Sequence, residues 1–203
     1  MRRAGARGTA VRRRDRDPVR GGVRDDPARR RVRAGDRTGQ LRGLRGHTRG
    51  HQETGGHRNP QGLAFDRDGR LWEAESGDSS KDELDLIQPG RNYGRPICEG
   101  SCSTAGMTDP KKIWKVSEAS PSGIAVVRDV IHMAALRDER LWRVPIDGEN
   151  LGTPAAYYVG SYGRLRTVTA VPGRDELWLS TTNCDIHGKE PPGADKLFRV
   201  SIT

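Results

Sequence analysis

From residue 60 to the end, the chain is written in short apolar runs broken by turn residues, and the pattern recurs three times. GLAFDRDGRLWEAES (62–76) reads as a strand, an Asp-Gly turn and a second strand, a β-hairpin signal. GIAVVRDVIHMAAL (123–136) and TVTAVPGRDELWLSTT (167–182) have the same outline. Behind each comes another strand opened by an acidic residue: DELDLI (82–87), DERLWRVPI (138–146) and DKLFRVSI (195–202). The last two agree as acidic, basic, Leu, aromatic, Arg, Val, any residue, Ile. Units of three or more antiparallel strands recurring every ~40 to 60 residues are how β-propeller blades look in sequence. The pattern therefore predicts an all-β fold, a partial β-propeller of about three blades over residues 55–203. A β-sandwich also uses many short strands, but repetition of whole strand triplets favours the propeller. A ring needs at least about four blades, so three would leave two sheet faces bare, with exposed apolar surface and a tendency to associate.

Composition changes the picture only for the head. The chain has 203 residues and a formal charge of +9, yet residues 1–50 hold 17 arginines and 5 aspartates, so they carry +12 and the remainder −3. Residues 1–40 contain no lysine, glutamate or aromatic residue, and their few valines follow no period. With little apolar side chain to offset the entropy of ordering, residues 1–54 are expected to be disordered. An arginine-glycine tail binding nucleic acid would need interleaved aromatics to stack bases, and a signal peptide would need an apolar stretch after its positive start; neither pattern is visible here. Translation of a GC-rich coding region from a wrong start or frame also yields this mixture, and that reading is preferred for the head. A mean hydropathy of −0.81 and the lack of any long apolar run give no membrane span.

Candidate chemistry gathers in three places. In GHRNPQGLAF (56–65), Pro60 pushes Asn59 into extended geometry, so His57, Arg58 and Asn59 occupy the loop entering the first strand, where propeller loops face the central funnel. ESGDSSKDELDLIQPGRNYGRP (75–96) concentrates Glu75, Asp78, Asp82, Glu83 and Asp85 among small residues. Such oxygen-rich loops suit Ca²⁺, although EF-hand spacing is absent and a solvated acidic loop is the plain alternative. In GSYGRLRTV (160–168), Arg164 and Arg166 stand two apart, so in extended chain both forks share one face and suit a ligand with several carboxylates; a charged strand edge is the alternative. Cys98 and Cys102 form a disulfide in one reading, leaving Cys184 free; in another they join Cys184 and His187 in a Cys₃His zinc site.

Taken together, GHRNPQGLAFDRDGRLWEAESG, DELDLIQPGRNYGRP, SPSGIAV and YGRLRTV with LWLSTTN resemble the glucose/sorbosone dehydrogenase family, soluble aldose dehydrogenases that use pyrroloquinoline quinone on a six-bladed propeller. The likeness covers residues 55 to 203, the C-terminal half of the family fold. It implies that Arg58 and Asn59 approach the quinone carbonyl, where Arg58 would stabilise negative charge as hydride arrives from the sugar C1. Gly77 and Asp78 would present backbone carbonyls to the Ca²⁺ that polarises the cofactor, with Asp78 where proline is usual. Glu83, by its side chain, and Tyr93, by its carbonyl, would hold a second, structural calcium. Arg164 and Arg166 would grip the cofactor carboxylates, with Arg137 placed for the same purpose. The family also implies a sugar substrate, an external electron acceptor and an extracellular or periplasmic location; from composition, no specific nucleic-acid partner and no membrane span are expected.

One departure matters. In the family, a histidine on an early blade removes the sugar hydroxyl proton, and this chain carries no matching blade; His47 and His51 lie too close to the GHRNP motif to replace it. General-base catalysis is commonly worth 10² to 10⁴ in rate, so the sequence is expected to be inactive as written. The alternative is a non-catalytic, propeller-derived module that binds sugar or calcium.

Overall fold

The computed structural model describes residues 53–191 and 193–203. Residues 1–52, and with them almost all of the head expected to be disordered and the competing readings of nucleic-acid tail and mistranslation, lie outside them; of residues 1–54 only Glu53 and Thr54 are described, Glu53 O accepting Gly90 N at 3.0 Å. The described residues form strands only, with no helix. The first sheet runs β1 (Pro60–Phe65), β2 (Leu71–Glu75), β3 (Lys81–Ile87), β4 (Lys112–Lys115). The second runs β5 (Pro121–Val127), β6 (Val130–Ala135), β7 (Arg140–Asp147), with β8 (Asn150–Leu151) and β9 (Ala155–Tyr157) both paired to β7. The third holds β10 (Leu165–Ala170), β11 (Glu176–Thr181) and β12 (Leu197–Ser201). Every pairing within these sheets is antiparallel, and among the described residues no sheet closes on itself.

The repetition read in the sequence is a repetition of geometry. In each sheet the first strand carries an irregularity of register at its start, between Pro60 and Gly62, Pro121 and Ile124, and Leu165 and Thr167. One backbone hydrogen bond then closes each hairpin at that end: Ser76 N to Asn59 O at 3.1 Å, Leu136 N to Ser120 O at 3.0 Å, and Thr182 N to Arg164 O at 2.9 Å. Asn59, Ser120 and Arg164 are thus equivalent positions. The matched ends of β7 and β12 behave alike too, Ile146 N donating to Asp129 O at 2.7 Å and Ile202 N to Asp175 O at 2.8 Å.

The three first strands lie side by side, β5 between β1 and β10. Glycine permits the approach. A Cβ on Gly62 would stand 2.6 Å from Ser122 O and 2.7 Å from Ile124 N, both backbone atoms of β5. One on Gly123 would meet Val168 N at 3.1 Å and Thr167 Cα at 3.2 Å in β10.

Two cores follow from this stacking. Trp72, Ala74, Leu84 and Leu86 of the first sheet pack on Ile124, Ile131, Met133 and Val144 of the second. The other face of the second sheet, with Ala125, Val127, Ala134 and Leu141, packs on Leu165, Val168, Leu177 and Leu179 of the third. The middle sheet is buried on both faces, which is why VIHMAA carries apolar residues without alternation. Away from the cores, the first and third sheets expose Leu63 (58 %), Phe65 (66 %), Trp178 (41 %) and Leu197 (64 %), while Glu73, Glu75, Glu83 and Asp85 on that side of the first sheet are buried, so that face is only partly bare.

Candidate functional site

Asn59, Ser120 and Arg164 stand where the three first strands begin, and the loops leaving the second strands return to the same end. Between them opens a cleft of about 660 Å³. Its wall includes Arg58, Asn59, Gly77, Arg137, Arg164 and Arg166, so residues far apart in sequence share one hollow. Gln61, Ser76, Ser120, Leu136, Asp185 and His187 complete the wall.

The loop ahead of β1 is held by the carboxylate of Glu75, whose Oε1 accepts the backbone N–H of Arg58 and, at 2.9 Å, that of Asn59. The Arg58 guanidinium donates to Gly77 O at 2.9 Å and Ser76 O at 3.3 Å, and pairs with Asp78 Oδ1 at 2.7 Å. Three oxygens therefore converge on one cationic head. The turn that presents them is tight: a Cβ on Gly77 would fall 1.8 Å from Lys81 O. Asp82 braces it from below, accepting Gly77 N at 2.9 Å and, across the sheets, Ser120 N at 2.7 Å. Glu99 braces it from outside. Its Oε1 accepts the N–H groups of Asp78, Ser79, Ser80 and Lys81 at 2.9 to 3.2 Å. Desolvation opposes ionisation there, but the four donors together hold the Glu99 carboxyl at about 2.

On the far wall, Arg164 donates to Leu136 O at 3.4 Å and pairs with Asp185 Oδ2 at 3.2 Å. Against desolvation, the His187 N–H and Arg164 keep the Asp185 carboxyl below its ordinary value. Arg137 reaches Val116 O at 3.3 Å. Arg166 is exposed and makes no ion pair among the described residues. Four guanidiniums against the carboxylates of Asp185 and Asp78 leave the hollow positive, and the Arg164 Nε is buried without an acceptor. Such a wall suits a ligand carrying several carboxylates.

Glu83 and Tyr93 are elsewhere. Both are buried on the face of the first sheet turned away from the second, where Glu83 accepts the Gly100 N–H and the Tyr93 hydroxyl donates to Leu86 O at 2.7 Å. Asp82, Glu83 and Asp85 are buried and only Asp78 of that acidic stretch is exposed, so the stretch is not a solvated loop. Cys98 and Cys102 form a disulfide and Cys184 is free, so the Cys₃His zinc alternative is not realised.

The sequence from residue 49 to 187 matches the model of the glucose/sorbosone dehydrogenase family. The chain belongs to the glucose/sorbosone dehydrogenase family. The PQQ-bound form of aldose sugar dehydrogenase from Streptomyces coelicolor superposes with a TM-score of 0.69 at 47 % identity, over 72 % of this chain and 44 % of that one. Quinoprotein glucose dehydrogenase B of Acinetobacter calcoaceticus is 50 % identical over 56 residues, 28 % of this chain and 12 % of the relative. Aldose sugar dehydrogenase YliI of Escherichia coli strain K12 is 27 % identical over 139 residues, 58 % of this chain and 37 % of the relative. This member of the family thus spans less than half the length of these relatives.

Gln61, Asp185, His187 and Glu99 were not singled out for this cleft by motif. Internal alignment carries the signal for Gln61, which falls at the position of Ser122 and Arg166 once the three hairpins are superimposed. Glu99 had none for its hold on the turn, because the partners of its Oε1 are backbone amides.

Proposed function

We propose that the cleft binds pyrroloquinoline quinone and that the chain serves in oxidation of an aldose to its lactone. Hydride would pass from the sugar C1 to the cofactor, and the electrons on to an external acceptor. The supporting observation is the convergence of Arg58, Arg137, Arg164 and Arg166 on one hollow. Bound there, the quinone supplies a two-electron hydride acceptor. In this reading Arg137, Arg164 and Arg166 orient the ligand by its carboxylates, and Asp185 fixes the Arg164 fork so that less side-chain entropy is lost on binding. Arg58 and Asn59, held by Glu75, sit where charge would develop.

The oxygens of Ser76, Gly77 and Asp78 are hard donors of the kind Ca²⁺ takes, and they would be released to it when Arg58 turns to the ligand. Glu83 with the Tyr93 carbonyl is the reading for a structural calcium, supported by the burial of Glu83 beside the first sheet's other carboxylates. A six-bladed ring, and export to the periplasm or medium, belong to the same reading. The second reading is a module that binds sugar or calcium without turnover.

Titration of the full chain with pyrroloquinoline quinone and Ca²⁺, followed by fluorescence quenching, tests binding; dye reduction with glucose tests turnover. Arg166→Ala is expected to weaken quinone affinity about 10- to 100-fold, since a charge-assisted hydrogen bond is worth ~1.5–3 kcal/mol. Binding that is absent, or indifferent to this substitution, overturns the proposal. Binding without dye reduction selects the module.

A further inference from the structure

Strand alternation puts a second set of charged groups on the far side of the first sheet. In LWEAE, Trp72 and Ala74 enter the core, so Glu73 and Glu75 point the other way; in KDELDLI, Leu84 and Leu86 enter the core and Glu83 and Asp85 point away with them. The register sets Glu73 directly opposite Asp85 and Glu75 opposite Glu83. Like charges directly opposite destabilise a sheet, and here all four carboxylates are 5 % exposed or less. A positive charge, or protons shared among the carboxyls, must offset them.

His57 is the basic side chain that reaches Glu73 and Glu75; Arg95 stands near Glu83, but its Nη2 is buried with no hydrogen-bond partner and its ion pair, at 3.4 Å, is with Glu99. Its Nδ1 lies 3.1 Å from Glu73 Oε1 and 3.3 Å from Glu75 Oε2, with its ring stacked on Tyr93 at 4.8 Å. One proton on Nδ1 serves Glu75 as a hydrogen bond and leaves Glu73 Oε1 without a donor. Asp85, fully buried beside Glu75 and Glu83, has no donor for either oxygen. A single imidazolium is too little for this pocket.

The geometry points to a binding site for a divalent transition-metal ion, ligated by His57 Nδ1, Glu73 Oε1 and Glu75 Oε2, with the Asp85 carboxylate across the ladder from Glu73 balancing its charge. One ligand atom from each of the three residues already lies within 4.8 Å of the others. The two separations from Nδ1 are close to the edge of about 3.3 Å expected when tetrahedral bonds are ~2.0–2.1 Å long. One nitrogen with carboxylate oxygens suits Zn²⁺ or Mn²⁺ better than Ca²⁺, which prefers oxygen alone. The outer contacts are those a metal histidine uses: Nε2 is 3.0 Å from the Thr54 hydroxyl, and Glu75 Oε1 is held by the Arg58 and Asn59 amides. His57 is 16 % exposed, which gives the ion a way in. The ligand set does not include Glu83 or the Tyr93 carbonyl, although Glu75 adjoins Glu83 with ligand oxygens within 4.8 Å of each other; none of its members lines the cleft, so the inference does not depend on quinone binding.

The test uses the full chain, stripped with a chelator, with no quinone added. Zn²⁺, Mn²⁺ and Ca²⁺ are titrated separately by calorimetry and by thermal unfolding, and Co²⁺ by its visible absorption. Tight uptake of one equivalent of Zn²⁺ or Mn²⁺ is expected, with a rise in Tm and, for Co²⁺, the intense bands of a low-symmetry site with nitrogen and oxygen ligands. Glu73→Gln should weaken that uptake at least tenfold. Asp85→Asn should raise the Tm of the stripped protein, because a buried charge disappears, while shrinking the rise caused by metal. Uptake unchanged in a folded Glu73→Gln protein would locate the ion elsewhere and overturn the inference. So would a stripped protein whose Tm no ion moves, a result that leaves His57 as an imidazolium within a proton-shared acid cluster.

Discussion

Replacing Gly62 by alanine tests the stacking on which the cleft depends. The added methyl would sit 2.6 and 2.7 Å from two backbone atoms of β5, where ordinary contact begins near 3.4 Å, and neither atom can rotate aside. The first strands must therefore separate by the better part of an ångström along a core that has no slack. Overpacking of this kind costs ~1–3 kcal/mol, and the smaller unfolded-state entropy of alanine returns only ~0.4–1 kcal/mol, so a net loss of about 1 to 2 kcal/mol is expected. Gly123 supplies a graded comparison: its nearest neighbours would be 3.1 and 3.2 Å away, which a shift of tenths of an ångström relieves, for a loss of about 1 kcal/mol or less. Gly55, with nothing within 4 Å and no positive φ, is the control and should be unchanged or slightly stabilised. Urea unfolding of the three variants, read by tryptophan fluorescence, should rank them Gly62, Gly123, Gly55 from most to least damaged. A Gly62→Ala protein as stable as Gly55→Ala would show that the sheets are not in backbone contact, and the geometry given for the cleft would fall with that.

Two other outcomes are expected. His132 is fully buried, and desolvation, with Arg143 beside it, brings its pKa from 6.5 to about 4. The unfolded chain then binds a proton that the folded one refuses, so this residue's contribution is complete above pH 6.5 and falls as pH drops toward 4, by up to roughly 3 kcal/mol. His132→Leu should flatten that part of a stability-versus-pH curve; an unchanged slope would refute the assignment. Asp66 accepts Asp68 N at 3.0 Å, Arg70 N at 2.9 Å, Arg70 Nε at 2.7 Å and Trp72 Nε1 at 2.9 Å, so Asp66→Ala strands a buried indole donor and is expected to cost about 3 kcal/mol by denaturant unfolding.

The hairpins were legible because their turns declare themselves: Asp68-Gly69 and Pro172-Gly173 break apolar runs that have no other reading. β4, β8 and β9 were not. KIWK, NL and AAY are too short for a period, and each is a strand recruited by pairing with a longer neighbour. In the cleft, Arg164 and Arg166 were readable as a pair because two-residue spacing fixes their relation, whereas their meeting with Arg58 and Arg137 required the order of sheets. The acidic stretch shows what single-strand reading misses. Glu73 and Asp85 become neighbours only through the β2–β3 register, so a segment that scans as a polar surface is an interior.

The hydrogen bond shared by Asn59, Ser120 and Arg164 is made by main chain alone, and each side chain is left over. An amide, a hydroxyl and a guanidinium occupy one repeated place without disturbing the hairpin that carries them. What the hollow recognises can therefore be rewritten residue by residue while the architecture stands still, much as type is reset within a fixed frame.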